Sequence, residues 1–332
     1  MTTTIAFPTL LETFFTDRLL RQQRVSPHTI ASYRDTFSLL LRFTQQRLGK
    51  APSALTLDDL DAPVVSAFLD DLEQTRGTSA RSRKVRLAAI HAFFHYVALR
   101  APSHSGLIQR VLAIPSKRYD RTPIAFLTGV EIEALLAAPD QHTWAGRRDR
   151  TLLLLAVQTG LRVSELSGLC WQDLTLGTGA HVRCQGKGRQ ERCTPLRKDV
   201  ITALRAWQRE QQSRPEAPVF PGTRGGPLGR DGVAYLLAKH VRAAQQHCPS
   251  LHGKRVSPHV LRHSAAMALL HSGVDCAVIA LWLGHESMDT TQMYLHASLE
   301  LKQQALDKTT PVNGRPGRYQ PDDDLLAFLK SL

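Results

Sequence analysis

The chain has 332 residues, about two domains' worth, and 42% of them are hydrophobic against 21% charged, which excludes a disordered polymer. Lysine and arginine number 42 against 29 aspartates and glutamates, a formal charge of +13 that favours a polyanionic partner without separating DNA from RNA or anionic lipid. Apolar runs such as Leu152 to Val157 are far too short for a membrane span, and the N-terminus has neither region of a signal peptide.

The first hundred residues read as four amphipathic helices. Their stripes are Leu10, Leu11, Phe14, Phe15 and Leu19; Ile30, Tyr33, Phe37, Leu40 and Leu41; Val64, Val65, Phe68, Leu69 and Leu72; and Leu87, Ile90, Phe94 and Val97. Ser26-Pro27 is an N-cap followed by proline at N1, and Thr78 or Ser79 caps the fourth helix. From 74 to 119 no acidic residue occurs, while Arg76, Arg81, Arg83, Lys84, Arg86, Arg100, Arg110, Lys117 and Arg118 do. A stretch of one sign this long repels itself unless an anion lies against it.

Residues 101–125, broken by Pro102, Pro115 and Pro123, read as a linker. A second domain opens at Thr128 with a capping box completed by Glu131. A helix through Leu152 to Val157 stops at Gly160, and Ser164 or a neighbour starts the next. Val182 and Cys184 alternate with polar residues before Gly186-Lys187-Gly188, a hairpin with Lys187 at its tip. A helix near Val200 to Trp207, a Pro/Gly-rich loop from Pro215 to Gly229 and further helices follow. Trp144, Trp171, Trp207 and Trp282 sit among apolar neighbours and read as core. The five cysteines are odd in number and widely spaced, with no CxxC pair, so neither a zinc cage nor a disulfide framework is indicated and a reduced, cytoplasmic setting is expected.

Three sites carry chemistry. In Ser257-Pro258-His259-Val260-Leu261-Arg262 a helix start places a histidine and a guanidinium three residues apart, near free N–H groups and the positive end of the helix dipole. In Gly160-Leu161-Arg162-Val163-Ser164-Glu165 a second arginine projects from a helix joint beside an acid able to orient it. Asp275 caps a helix ended by Gly284, after which come His285 and, two turns into a helix that Ser287 can cap, Tyr294. His259 and His263 share metal-face spacing, but HExxH is absent and Arg262 between them would repel a cation, so no metal is expected.

GLRVSEL (160–166), GKGR (186–189), HVLRH (259–263), LGH (283–285) and TTQMYLH (290–296) occur in the order and at the spacing of the tyrosine recombinases, and the chain resembles that phage integrase family. The likeness covers about 126–300 by motif and 1–100 by architecture. It implies a mainly α fold with a small β-hairpin or sheet. A four-helix core-binding domain (1–105) would be followed by a linker (106–125), an α+β catalytic domain (126–310) and a spacer with a helical tail (311–332). It implies Tyr294 as nucleophile, Arg162 and Arg262 as a clamp on the scissile phosphate, and Lys187 as the acid on the leaving 5′ oxygen. His259 would assist removal of the tyrosine proton, and His285 would donate a hydrogen bond to the phosphate. No cofactor is implied, because the bond energy stays in the phosphotyrosine and no phosphate-binding GxxxxGK[ST] loop occurs. Val260 and Met267 depart from common family residues without touching the chemistry.

The implied partner is double-stranded DNA carrying paired half-sites, with self-association into a tetramer on two duplexes and room for accessory recombinases. Candidate contacts to the DNA backbone are Arg24, Ser26, His28, Thr29 and Tyr33, with Arg81, Arg83, Lys84 and Arg86. A type IB topoisomerase is disfavoured by the compact helical N-terminal region. A non-catalytic regulator on the same scaffold is disfavoured by the complete residue set.

Overall fold

The computed structural model describes residues 6–118, 124–185, 191–212, 214–223, 225–285, 291 and 294. It divides into two compact units, Met1–Arg121 and Thr122–Leu332. Each is built around its own apolar core.

In the first unit, α1 (Phe7–Thr13) runs directly into a π-helical segment, Phe14–Gln22. The expected stripe is present, but its wider turn buries Leu10, Phe14 and Leu19 and leaves Leu11 and Phe15 half-covered. α2 (Pro27–Leu48) starts where Ser26 Oγ accepts from the Thr29 N–H at 3.2 Å. α3 (Ala62–Gln74) is capped by Asp61, and α4 (Ala80–Ala98) by Ser79 rather than Thr78. Phe14, Phe37, Phe93 and Phe94 meet edge-on at the centre, with ring centroids 5.3–5.5 Å apart along the chain of contacts.

The stretch read as a linker holds a fifth helix, α5 (Ser105–Leu112). Leu107, Ile108 and Val111 are buried in the first core. Prolines on either side made the stretch look broken, and two turns are too few for periodicity to register.

The second unit opens with α6 (Gly129–Ala137), whose capping box is complete: the Thr128 N–H donates to Glu131 at 2.9 Å and the Glu131 N–H to Thr128 at 3.4 Å. α7 (Trp144–Thr159) is the central helix, with Leu152 through Ala156 all buried. α8 (Val163–Gly168) follows after a tight joint. Strands β1 (Leu174–Thr175), β2 (His181–Gln185) and β3 (Glu191–Pro195) form an antiparallel sheet in that order, its last described rung pairing Gln185 with Glu191. α9 (Lys198–Gln211), α10 (Arg230–Ala244), α11 (Pro258–His271) and α12 (Cys276–Leu283) complete the described elements.

α7 and α10 are joined by a buried polar triad. Asp149 accepts from Arg148 at 2.7 and 2.9 Å and lies 2.8 Å from the His240 ring nitrogen. Trp171 and Trp207 are core residues, whereas Trp144 and Trp282 are half-buried. Among the described residues no helix is long and apolar enough to cross a membrane. The hairpin tip with Lys187, the cap expected at Ser287 and the tail at 311–332 lie outside the described residues.

Candidate active site

Two arginines from distant segments meet at one helix end. Gly160 closes α7 in the left-handed conformation, with φ +64°, and turns the chain so that Arg162, not Ser164, becomes the N-cap of α8. There Glu165 accepts from the Arg162 backbone N–H at 2.7 Å and from its Nη1 at 3.0 Å. The other arm, Arg162 Nη2, donates to the Gly284 carbonyl at 2.7 Å. Arg262 comes from α11 and is buried; it donates to the Leu283 carbonyl at 2.6 Å and the Gly160 carbonyl at 2.7 Å. Leu283 and Gly284 end α12, where the unpaired carbonyls form the negative pole of the helix. Both guanidiniums are therefore held in place by backbone before any ligand arrives.

His285 follows this pair directly, and its Nδ1 lies 2.8 Å from Thr291 Oγ1. Its ring stacks on Tyr294 at 6.3 Å between centroids. Tyr294 is 1% exposed, and its hydroxyl shares a 3.0 Å hydrogen bond with Nδ1 of His263. His259, the histidine expected to serve the tyrosine, is exposed instead, its ring 6.3 Å from that of His263. Ser257 occupies the N-cap of α11 but makes no side-chain capping bond. Sequence reasoning weighed His263 only as a metal ligand. Its i, i+4 spacing from His259 was the available signal, but a pattern in one helix does not say which of two histidines meets a residue from another segment.

Electrostatics follow burial. Burial, then the charge of Arg162, brings the Arg262 guanidinium down to about 10. Burial first and neighbouring positive groups second push His263 and His285 down to about 4, so both rings are neutral at physiological pH. In this arrangement burial outweighs the opposing pull of Arg262, and the Tyr294 phenol is held above its usual range.

The N-terminal candidates separate into three groups. Arg24, His28, Arg81 and Lys84 are exposed, as is Ser26, the α2 cap. Thr29 and Tyr33 are half-buried, with Tyr33 stacked on Phe14 and its phenol pushed up by burial. Arg83 and Arg86 are not free for a ligand. Arg83 is buried between Asp70 and Glu73 at 3.3 Å from each, and Arg86 donates to the Ser32 carbonyl and Thr36 at 3.1 and 3.0 Å. Lys117 also pairs with Glu73. The acid-free run from 74 to 119 is thus partly neutralised by acids of α3, which packing against α4 brings alongside.

Residues 125–300 match the phage integrase family, and residues 13–101 match the SAM-like N-terminal domain of phage integrases. The chain is 57% identical over its full length, and the full length of the relative, to y4rC of Sinorhizobium fredii, which bears an integrase/recombinase name. It is 35% identical to the tyrosine recombinase XerC of Pelobacter propionicus, over 87% of this chain and 91% of that one. Its fold is similar to that of the XerH site-specific recombinase in a post-cleavage complex with palindromic difH substrate, with a TM-score of 0.66, 23% identity, and 82% and 79% of the two chains covered. The chain belongs to the phage integrase family and is a site-specific DNA recombinase of the tyrosine type.

Proposed function

We propose that this chain cuts and rejoins duplex DNA at paired half-sites through a 3′-phosphotyrosyl intermediate. Tyr294 Oη attacks the scissile phosphorus, the bond to the 5′ oxygen breaks, and Lys187 protonates the departing oxygen. The 5′-hydroxyl of a partner strand then attacks the phosphotyrosine and releases Tyr294. Arg162 and Arg262 counter the charge that gathers on the non-bridging oxygens. His285 donates to the same phosphate, and His259 and His263 take up and return the phenolic proton.

The observation that carries this reading is the convergence of separate segments on one helix end. Arg162 and Arg262 bond to the successive carbonyls Gly284 and Leu283, immediately before His285, whose ring stacks on Tyr294. The similarly folded Tn1549 transposon integrase, solved in complex with a circular intermediate DNA, supports DNA as the substrate. Exposed Arg24, His28, Arg81 and Lys84 supply backbone contacts from the N-terminal unit, and Tyr235, Lys239 and Arg242 line an exposed face of α10. Four protomers act on two duplexes in the cytoplasm, with residues 322–332 linking neighbours. The biological setting is integration or excision of a mobile element, with resolution of plasmid or chromosome dimers as the same chemistry in another context.

The test is a duplex nicked close to the cleavage site, which traps the covalent adduct. Wild type forms it, whereas Tyr294→Phe binds the half-site with undiminished affinity and forms none. Adduct in that variant removes Tyr294 from the role.

A further inference from the structure

A second cation stands behind Arg162. Arg192, on β3, donates to Glu165 with both arms, Nη1 to Oε1 at 2.9 Å and Nη2 to Oε2 at 2.7 Å. The same carboxylate receives the Arg162 backbone N–H and Nη1, so one anion is shared by two guanidiniums. Their exposures differ. The side chains of Glu165 and Arg192 are 7% and 10% exposed, and that of Arg162 is 28% exposed. The trio carries a net single positive charge, and Arg162 is the member that presents it to solvent.

Arg192 is also wedged between elements. A Cβ on Gly284 would lie 2.9 Å from Arg192 Nη1 and 3.2 Å from its Cδ. Gly284 is thus needed for its φ of +66° and for the space the arginine occupies. One residue further back, Glu191 forms the last described rung between β2 and β3, four residues after Lys187 in the sequence. Arg192 therefore ties the hairpin root to the N-cap of α8 and the end of α12.

We propose that Arg192 is a positioning residue for the cleavage reaction: by sharing both oxygens of Glu165 with Arg162 it takes up part of that carboxylate's charge, and so leaves Arg162 a net charge to offer the phosphate. This rests on the reading of Arg162 as a phosphate contact. Without Arg192, Glu165, whose two oxygens already accept from Arg162, is left to Arg162 alone and makes a neutral pair with it, whose attraction for an anion largely cancels at close range.

The experiment measures adduct formation on two nicked duplexes, one with the natural phosphodiester at the scissile position and one with a neutral methylphosphonate, which asks less of Arg162. Arg192→Ala slows the phosphodiester by roughly 10²-fold, as displaced catalytic groups do, and the methylphosphonate much less. Arg192→Lys, which keeps the charge but not the two-armed grip, falls between. Adding Glu165→Gln to Arg192→Ala recovers part of the lost rate, because an amide no longer cancels Arg162. Half-site binding in gel shifts verifies folding, and if Arg192→Ala does not fold, Arg192→Lys carries the same comparison.

Equal losses on both linkages, or no recovery with Glu165→Gln, overturn the positioning role. Arg162→Ala separates the two ideas. If it leaves phosphodiester cleavage intact, the phosphate role of Arg162 fails; if it abolishes cleavage while Arg192→Ala does not slow it, only the role of Arg192 fails.

Discussion

Gly160→Ala should damage stability and catalysis together. The substitution places a methyl on a residue at φ +64°, which costs an L-residue about 1–2 kcal/mol. The new Cβ would lie 2.6 Å from Leu283 Cδ2 and 3.2 Å from Ala265 Cβ, both in packed core, and overpacking of this kind costs about 1–3 kcal/mol more. The sum is roughly 2–5 kcal/mol. The Gly160 and Leu283 carbonyls are also the two acceptors of Arg262, so whatever moves to admit the methyl moves that guanidinium. A displacement near 1 Å in a catalytic group costs about 10²-fold in rate. All four tryptophans lie in the second unit, so tryptophan fluorescence in urea follows the unfolding of that unit alone. Adduct formation is measured on the nicked duplex at a temperature where both proteins are folded. Gly168→Ala is the control, since its Cβ would meet nothing within 4 Å. A loss under about 1 kcal/mol with an unchanged cleavage rate would refute the packing argument. A large loss of stability with full cleavage would uncouple Gly160 from Arg262.

His263 and His285 take up protons near pH 4 when folded and near 6.5 when unfolded. The unfolded chain therefore binds more protons in that window, and stability of the second unit falls as pH drops from 6.5 to 4. Both rings are part-exposed, so screening reduces the full linkage value of roughly 3 kcal/mol each to about 1–2 kcal/mol. Thermal melts across that range measure it, and a slope left unchanged by His263→Asn with His285→Asn assigns the effect elsewhere. Arg81→Ala with Lys84→Ala should flatten the dependence of log affinity on log salt by about 1.8, at about 0.9 per phosphate contact. Arg83→Ala should leave that slope alone and instead lower the melting temperature of the first unit; a slope change from Arg83→Ala would contradict its burial between Asp70 and Glu73. Lys187→Ala should slow cleavage of a normal 5′-oxygen leaving group far more than a 5′-thio one, which departs without a proton. Equal slowing of the two makes the lysine a phosphate contact only.

Much of this protein is legible along the chain because the signals are local. Helix stripes, the Ser26-Pro27 and Thr128–Glu131 caps, the stop at Gly160 and the hairpin strands depend on residues within a turn or two of one another, and the structure has each of them. The motif order likewise singled out Arg162, Arg262, His285 and Tyr294 before any geometry. What failed was long-range. α5 carries no such signal, because its apolar face spans only two turns and gains meaning only against the first core. Arg83 and Arg86 looked like free charge, although Asp70, Glu73, Ser32 and Thr36 claim them from α3 and α2.

The same division runs through the candidate site. Residue identities fix which groups can carry charge or a proton, and five motifs were enough to name the family. Only the packing of α11 against the segment holding Tyr294 decided that His263, not His259, shares its hydrogen bond. Only the meeting of β3 with α8 and α12 brought Arg192 to Glu165. The physical reason is one of range: a helix or turn forms from neighbours and is written in their spacing. Burial and pairing of charges are set by chain segments tens of residues apart, and no local pattern records which of several like residues will be enclosed.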